Sequence, residues 1–523
     1  MGRALFFAAR PKRRQTRLRV LSFFRSASCV ARRLQRQGAN FLPIMKRFLF
    51  LLLALLPFVA EAHSGKARYH LLIDTDGAAD DLRTICLLLG NREAEVLAIT
   101  SSEGAQEPRR TAACLGALLR TFHHEGIPVG CGRPTEAPAP PWRELSGQVD
   151  WGTPDATATP DAATLLAETI ENEEEPVVVL ALGALTNFAE LFTARPALKG
   201  RIERIIWYND SAQPLAGANC DADPEAARRV LASGIPTVLI SAADRPLPLQ
   251  AAWIDSVATV PTPYARKIVL THRTLPLARL IEAGHLQAWD DLAALYLFRP
   301  ELFDTEALTP TVSVCTLHDP QVFGGAILDL LRGRPDSESR VFYGFPTAAA
   351  GYAEDVEPIV GPALALYGPS EWRAAVLTNE LHGHLGIYAT IGVKMGIRAR
   401  EYFNIGVDDI RTTSYAGEQP PVSCLNDGLQ VGTGSTLGHG LIRIAECDAP
   451  RPEAVFRFKN RAIRLRLKPE YAERIRRDVR RGIELYGDCT EPYWQYIREL
   501  ALRYWLEFDR HEIFELERVE PHI

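Results

Sequence analysis

From Tyr69 to Ala242 the sequence alternates between two textures, and this alternation limits the folds open to the chain. Short apolar or β-branched runs give way to amphipathic runs of helical period: YHLLID then DDLRTICLLLG, EVLAIT then EPRRTAACLGALLRTF, IPVGCG, VVVLALG then LTNFAELF, RIIWYND then DPEAARRVLASG, and PTVLISA. Strands separated by helices of this length have to cross over the sheet, so the pattern predicts βαβ units and an α/β domain with a mostly parallel sheet. A second regime begins near Pro369-Ser370-Glu371. There a helix leads into LHGHLG, a Gly-rich stretch (GLQVGTGSTLGHG), a strand-like VFRFKNRAIRLRL and charged helices from Glu470 onward. The expected division is an α/β domain over 63–365 and an α+β domain over 366–523.

Residues 1–62 stand outside the alternation and hold 13 of the 59 basic residues with one acid, Glu61. Met45-Lys46-Arg47 precedes an apolar run from Phe48 to Leu56, then Pro57 and the small-x-small sequence Ala60-Glu61-Ala62. These are the parts of a secretory signal peptide, and the apolar run is too short to span a bilayer. Translation is expected to start at Met45 and the mature chain at His63, exported to the periplasm or secreted; a transit peptide or uncleaved anchor is the alternative. Beyond residue 62 the chain carries 46 basic against 63 acidic residues. That surface repels phosphate backbones, so no nucleic-acid partner is expected. The eight cysteines after residue 62 form no CxxC pair, Cys86 and Cys114 read as buried thiols, and any pairing is open.

LLIDTDGAADDL places Asp74, Asp76, Asp80 and Asp81 between a buried strand and the following helix. Ligands of open α/β sheets bind at the carboxyl ends of strands. Four carboxylates this close repel unless a cation neutralises them, and all-oxygen ligation suits calcium or magnesium. An Asp-rich helix start is also favoured by the helix dipole alone, so a solvated cap is the competing reading.

Two families share this cluster. IDTDG resembles the first motif of haloacid-dehalogenase-type phosphatases, which would make Asp74 a nucleophile; no downstream Ser/Thr and Lys motif closes on it. DTDGAADD resembles the DTDPGxDD signature of the inosine-uridine-preferring nucleoside hydrolases. PVGCGRP, LALGALTNFAELF, NCDADPEAARRVLASG and AWDDLAALYLFRPELF resemble later segments of that family, in family order. The resemblance implies an N-ribosyl hydrolase with a tightly bound calcium. Its ligands would be Asp76, Asp81, Asp290 and the backbone carbonyl of Leu182; Asp76 would also take the proton of the attacking water. Asp80 and Asn219 would bind the sugar, with Trp289 beside the leaving base. Asp319 of HDP competes with Asp290 as last ligand. Asp290 is favoured because it lies 67 rather than 96 residues after Asp223 and precedes the helix-like LAALYLFRPELF.

Departures thin the implied sugar and base shells. Gly77 and Ala78 replace Pro-Gly, Ala105 stands where the family has Asn, Gly217 where it has a ribose-binding Glu, and Trp289 where some members have His. An indole N–H does not titrate, so good leaving groups are expected to depart fastest, with His318 the candidate acid.

In the second domain, LTNELHGHLGIYATIGVKMGIRA and SCLNDGLQVGTGSTLGHGLI resemble the subunit-E family of formylmethanofuran dehydrogenase, whose members often hold zinc. His382, His384, Cys424, Asp427, Gln430, Thr433 and Gly434 of its motifs persist, and His382, His384 and Cys424 are the zinc candidates. Two family cysteines are Gly386 and Ser435 here. The sequence thus reads as an exported, calcium-dependent glycosidase of nucleoside-hydrolase type joined to a zinc-module domain. Its substrate would be a small nucleoside or glycoside, and homo-oligomerisation is left open. The alternatives are a phosphatase, or a non-catalytic protein that binds a sugar or nucleoside through the metal.

Overall fold

The structure is a computed structural model that describes residues 67–154, 159–242, 245–333, 341–342 and 344–521. The expected signal peptide and the start at His63 lie outside them. No helix among the described residues is long and apolar enough to cross a membrane.

In chain order the strands are β1 (Tyr69–Thr75), β2 (Ala94–Ser101), β3 (Val129–Cys131), β4 (Val177–Ala181), β5 (Ile202–Tyr208), the short pair β6 (Ser211–Ala212) and β7 (Leu215–Ala216), β8 (Thr237–Ile240), β9 (Phe303–Ala307) and β10 (Val312–Leu317). Eight of them form one sheet in the order β3-β2-β1-β4-β5-β8-β10-β9, parallel throughout except for β9, which pairs antiparallel with β10. The winding reverses at β1, which is flanked by β2 and β4, and this is where a doubly wound sheet opens a crevice at its carboxyl ends.

Side chains alternate between the two faces of each strand. Leu71 and Ile73 of β1 and Val178 and Leu180 of β4 face one core; Leu72, Val177, Val179 and Ala181 face the other. Both faces are apolar because both are covered, which is why these strands read as continuous hydrophobic runs. The helices Ala79–Gly90, Pro263–His272 and Asp291–Phe298 pack on the first face, and Ala162–Asn172, Thr186–Ala194 and Pro224–Leu231 on the second.

A separate core begins at Val356. It gathers the helical run Glu357–His382 and the helices Ile387–Phe403, Leu425–Thr433, Pro469–Tyr486 and Glu491–Glu507 against a second sheet. The strands of that sheet are β11 (Arg411–Ser414), β12 (Ile442–Ile444), β13 (Glu453–Phe458), β14 (Arg461–Leu467) and β15 (Phe514–Val519), ordered β12-β11-β13-β14-β15. The strand-like run 455–467 is therefore a hairpin, turned at Lys459, whose φ is 52°. The run Glu357–His382 breaks at Gly368 (φ 81°), just before Pro369.

The two cores meet at the amino-terminal side of the large sheet. Gly126 N donates to Tyr402 O (2.8 Å), His124 Nδ1 to Glu401 O (2.7 Å) and Asn404 Nδ2 to Leu89 O (3.2 Å). Lys459 pairs with both Glu95 at the start of β2 and Glu173 just before β4. The second domain thus docks at the end of the sheet remote from the carboxyl-end crevice.

Candidate active site and cation centre

β1 delivers Asp76 just past its last residue, and a tight turn brings the chain into the helix that carries Asp80 and Asp81. Gly77 makes the turn at φ +82°, a conformation that costs other residues strain. Its N–H donates to Asp81 Oδ2 (3.0 Å), and Thr75 Oγ1 donates to the same oxygen. Asp81 Oδ1 is buried and has no partner. Asp290 arrives from the far side, at the start of the helix Asp291–Phe298. Its side chain makes no capping bond there, and its Oδ1 is likewise buried and unpartnered. Oxygens of Asp80, Asp81 and Asp290 lie within 4.8 Å of one another. Asp76 lines the same cleft with both oxygens held by main-chain amides: Oδ1 accepts from Ala78 N (3.2 Å) and Oδ2 from Ala105 N (2.9 Å). The backbone at 105 therefore contacts the cluster even though its side chain is only a methyl.

All four carboxyls are buried. Burial, and next the charge of Asp81, raises Asp76 and Asp290 well above the usual carboxylate range and Asp80 to about 7. Buried charges of one sign are costly unless paired or bound to a cation. Hard oxygen donors, two of them unpartnered, fit a calcium- or magnesium-like ion. Leu182, just past β4, lines the cleft, and its carbonyl accepts from Asn219 Nδ2 (2.8 Å).

Asp74 is directed elsewhere. Its Oδ2 accepts from Thr100 Oγ1 and Asn187 Nδ2, both at 2.6 Å, so the LTN segment serves to hold this strand-end carboxyl. It does not line the cleft, which removes the nucleophile a phosphatase would need.

Above the carboxylates lies a cavity of about 310 Å³. Asp76, Asp80, Asp290 and Asn219 line its polar end; Trp142, Leu145, Leu280, Leu286 and Trp289 form an apolar wall, with Trp289 43% exposed. The lining residues missed from sequence include Trp142, Tyr208, Asp210 and His285. Asp210 had a signal, since it follows β5 directly and carboxyl ends of strands build such sites. Its place is informative. A side chain on Gly217 would begin 2.7 Å from Asp210 Oδ2, so Asp210 brings a carboxylate to the spot left bare by the glycine. His318 is exposed and outside this cavity, which corrects its expected role; the histidine that lines the cleft is His285. Asp319 accepts from Gln321 N (2.9 Å) at the start of a short helical turn and does not join the carboxylates.

The zinc candidates fare differently. Among the described residues, His382, His384 and Cys424 do not form a group of three with ligand atoms within 4.8 Å. His382 Nδ1 is bonded to Asp427 Oδ2 (2.7 Å), and its ring lies 4.3 Å from that of His384. A Cβ on Gly386 would fall 2.9 Å from His382 Nε2, so the imidazole fills the place of the missing side chain. Ser435 is buried and donates to Ile410 O (2.7 Å) as a core hydroxyl. Burial, with Asp427 nearby, raises the Cys424 thiol. His382 and His384 lie side by side, with His382 Nε2 buried and unpartnered, but Cys424 does not complete a three-ligand group with them. The eight cysteines among the described residues are free.

A buried carboxylate cluster at the switch point thus opens into a cleft lined by Trp142 and Trp289 in an α/β fold. Residues 71–341, half of the chain, match the inosine-uridine preferring nucleoside hydrolase family, and the chain belongs to that family. Residues 381–515 match the family described as FmdE, molybdenum formylmethanofuran dehydrogenase operon. The pyrimidine-specific ribonucleoside hydrolases RihA of Escherichia coli O1:K1 / APEC and of O45:K1 (strain S88 / ExPEC) are each 35% identical over 186 residues, 32% of this chain and 58% of theirs. The chain thus spans 58% of the length of these relatives. Among solved structures, the plant nucleoside hydrolase PpNRh1 (18% identity, TM-score 0.44) covers 51% of this chain and 100% of its own. The purine-preferring ribonucleoside hydrolase from Gardnerella vaginalis (20%, TM-score 0.43) covers 50% and 99%.

Proposed function

We propose that the chain is an exported, calcium-dependent nucleoside N-ribohydrolase whose C-terminal domain is a docked structural module. The observation that carries this reading is the pair of buried, unpartnered oxygens on Asp81 and Asp290 beside Asp76 and Asp80 in a cleft of nucleoside size. Asp76, Asp81, Asp290 and the Leu182 carbonyl would hold calcium, with Asp80 within reach. A divalent cation bound there supplies the positive charge that acidifies water and fixes oxygen ligands.

The protein's own groups do the rest. Asp76, held in place by Ala78 and Ala105, takes a proton from water under the anomeric carbon. Asp80, Asn219 and Asp210 bind sugar hydroxyls. The surrounding carboxylates favour the positive charge that develops on the sugar as the N-glycosidic bond breaks. Trp142 and Trp289 present flat apolar surface to an aromatic base, and His285, which lines the same cleft, offers a ring nitrogen for hydrogen bonding. The pyrimidine specificity of RihA makes uridine and cytidine the first substrates to try. Export through the Met45 signal with cleavage before His63 is part of the proposal.

The test is reducing-sugar release from a panel of nucleosides, with calcium and with chelator. Release that depends on calcium is expected. Tight nucleoside binding without release from any of the panel would leave a binding protein instead.

A further inference from the structure

Arg83 lies in the helix Ala79–Gly90, three residues after Asp80 and two after Asp81, and is 1% exposed. Sequence motifs single out its acidic neighbours but not this cation. Four N–H donors of its guanidinium reach the opposite half of the site. Nε and Nη2 fork onto the carboxylate of Asp291, with Nη2 at 2.6 Å from Oδ2. Nη2 also donates to Gln287 O (2.9 Å), and Nη1 donates to Nε2 of His272 (3.0 Å). The imidazole is oriented to receive it, because Nδ1–H of His272 is engaged by Ile268 O (2.8 Å).

The two anchors, Gln287 O and the Asp291 carboxylate, bracket residues 288–290. Inside the bracket Ala288 is buried, Trp289 lines the cleft and Asp290 carries its unpartnered oxygen. Asp290 makes no capping bond that would hold its carboxyl on its own helix, so its direction depends on the backbone that bears it.

We propose that Arg83 is a positioning residue: by clamping Gln287 and Asp291 it sets where Asp290 and Trp289 stand relative to Asp80 and Asp81, and so governs cation affinity and the grip on the base. The inference rests on reading Asp290 as a cation ligand. A guanidinium suits the task because its planar fork can hold a carboxylate and a carbonyl at fixed angles, which an ammonium cannot. Partners behind metal ligands typically change metal affinity about 10- to 100-fold when removed. A buried pair that only stabilises the fold can be replaced by apolar side chains of similar size; a clamp cannot.

The experiment uses the full chain, stripped by chelator and titrated calorimetrically with calcium, with thermal unfolding and steady-state kinetics alongside. The variants are Arg83→Met with Asp291→Leu together, Arg83→Lys, and Asp290→Asn as reference. The double variant is expected to unfold in the metal-free state at the wild-type midpoint yet bind calcium about 10- to 100-fold more weakly and show a raised KM. Wild-type calcium affinity in the double variant overturns the proposal. Should the double variant fail to fold, Arg83→Lys, which keeps the charge and loses the fork, is measured in the same way, and wild-type calcium affinity in it overturns the proposal equally. Wild-type affinity in Asp290→Asn would instead overturn the ligand assignment, and the positioning role with it.

Discussion

The two domains each present a motif with metal-binding residue types, and among the described residues only the first gathers three ligand atoms in one place. At the carboxyl-end crevice, Asp81 and Asp290 keep buried oxygens unpartnered, while burial and the charge of Asp81 raise the Asp290 carboxyl well above the usual range. In the C-terminal domain His382 is held through Nδ1 by Asp427 while its Nε2 is buried without a partner, and among the described residues no third ligand atom gathers beside it and His384. The His382 ring occupies the space beside Gly386, and Ser435 is bonded within the core. The lesson is physical: like-charged oxygens gathered unsatisfied in a dry site call for a cation, whereas a single unpartnered nitrogen with no third ligand atom beside it does not build a metal site.

The sharpest way to break this comparison is a pair of variants. Asp81→Asn should strip the calcium and lower nucleoside kcat/KM by at least ~100-fold, the scale of removing one preorganised electrostatic group. His382→Ala should leave both metal content and kcat/KM unchanged. Metal analysis showing a second ion that His382→Ala removes would reverse the contrast.

A second, purely structural effect is expected from Lys394→Met. Lys394 is fully buried and donates to Glu371 (2.6 Å), a carboxylate also bonded by Arg510 (3.1 Å). Loss of one partner of a buried pair costs about 3 kcal/mol. Chemical denaturation should show this loss with no change in KM at temperatures where the variant is folded.

The junction between the domains should respond to acid. Burial pushes His124, bonded to Glu401 O and Tyr264, down to about 4 from an ordinary 6.5. A histidine depressed in this way contributes its full stability above 6.5 and loses it as pH falls toward 4. Between pH 7 and 5 the loss from this group is about 2 kcal/mol. His124→Gln should flatten that part of the stability-against-pH curve; an unchanged slope would assign the acid response to other groups.

The smallest effect belongs to Asp319→Ala, which removes a cap worth at most ~1 kcal/mol and should leave calcium affinity intact. A calcium affinity that drops with Asp319→Ala but not with Asp290→Ala would show the sequence register to be displaced.

Much of the site was legible before the fold was known. The alternating runs place the strands and crossover helices, since burial on both faces of a parallel sheet demands continuous apolar strands, and DTDGAADD lies where such sheets carry ligands. Asp290, preferred over Asp319 on spacing, lies within the carboxylate cluster, whereas Asp319 caps a turn. Asp210, Trp142 and His285 escaped notice because each belongs to a separate loop with no motif of its own, and only the folding of those loops over one cleft gives them a common purpose.

By itself, then, the sequence determined the α/β class, the order of the strands and helices along the chain and the identity of the carboxylates, because periodicity and local spacing are properties of the chain. Which donors remain unsatisfied was decided by the tertiary structure alone. Whether Asp427 reaches His382, whether Asp210 stands beside Gly217 and whether Arg83 clamps the segment bearing Asp290 all depend on residues brought together from distant parts of the chain, and hydrogen bonding is settled by proximity in space rather than in sequence.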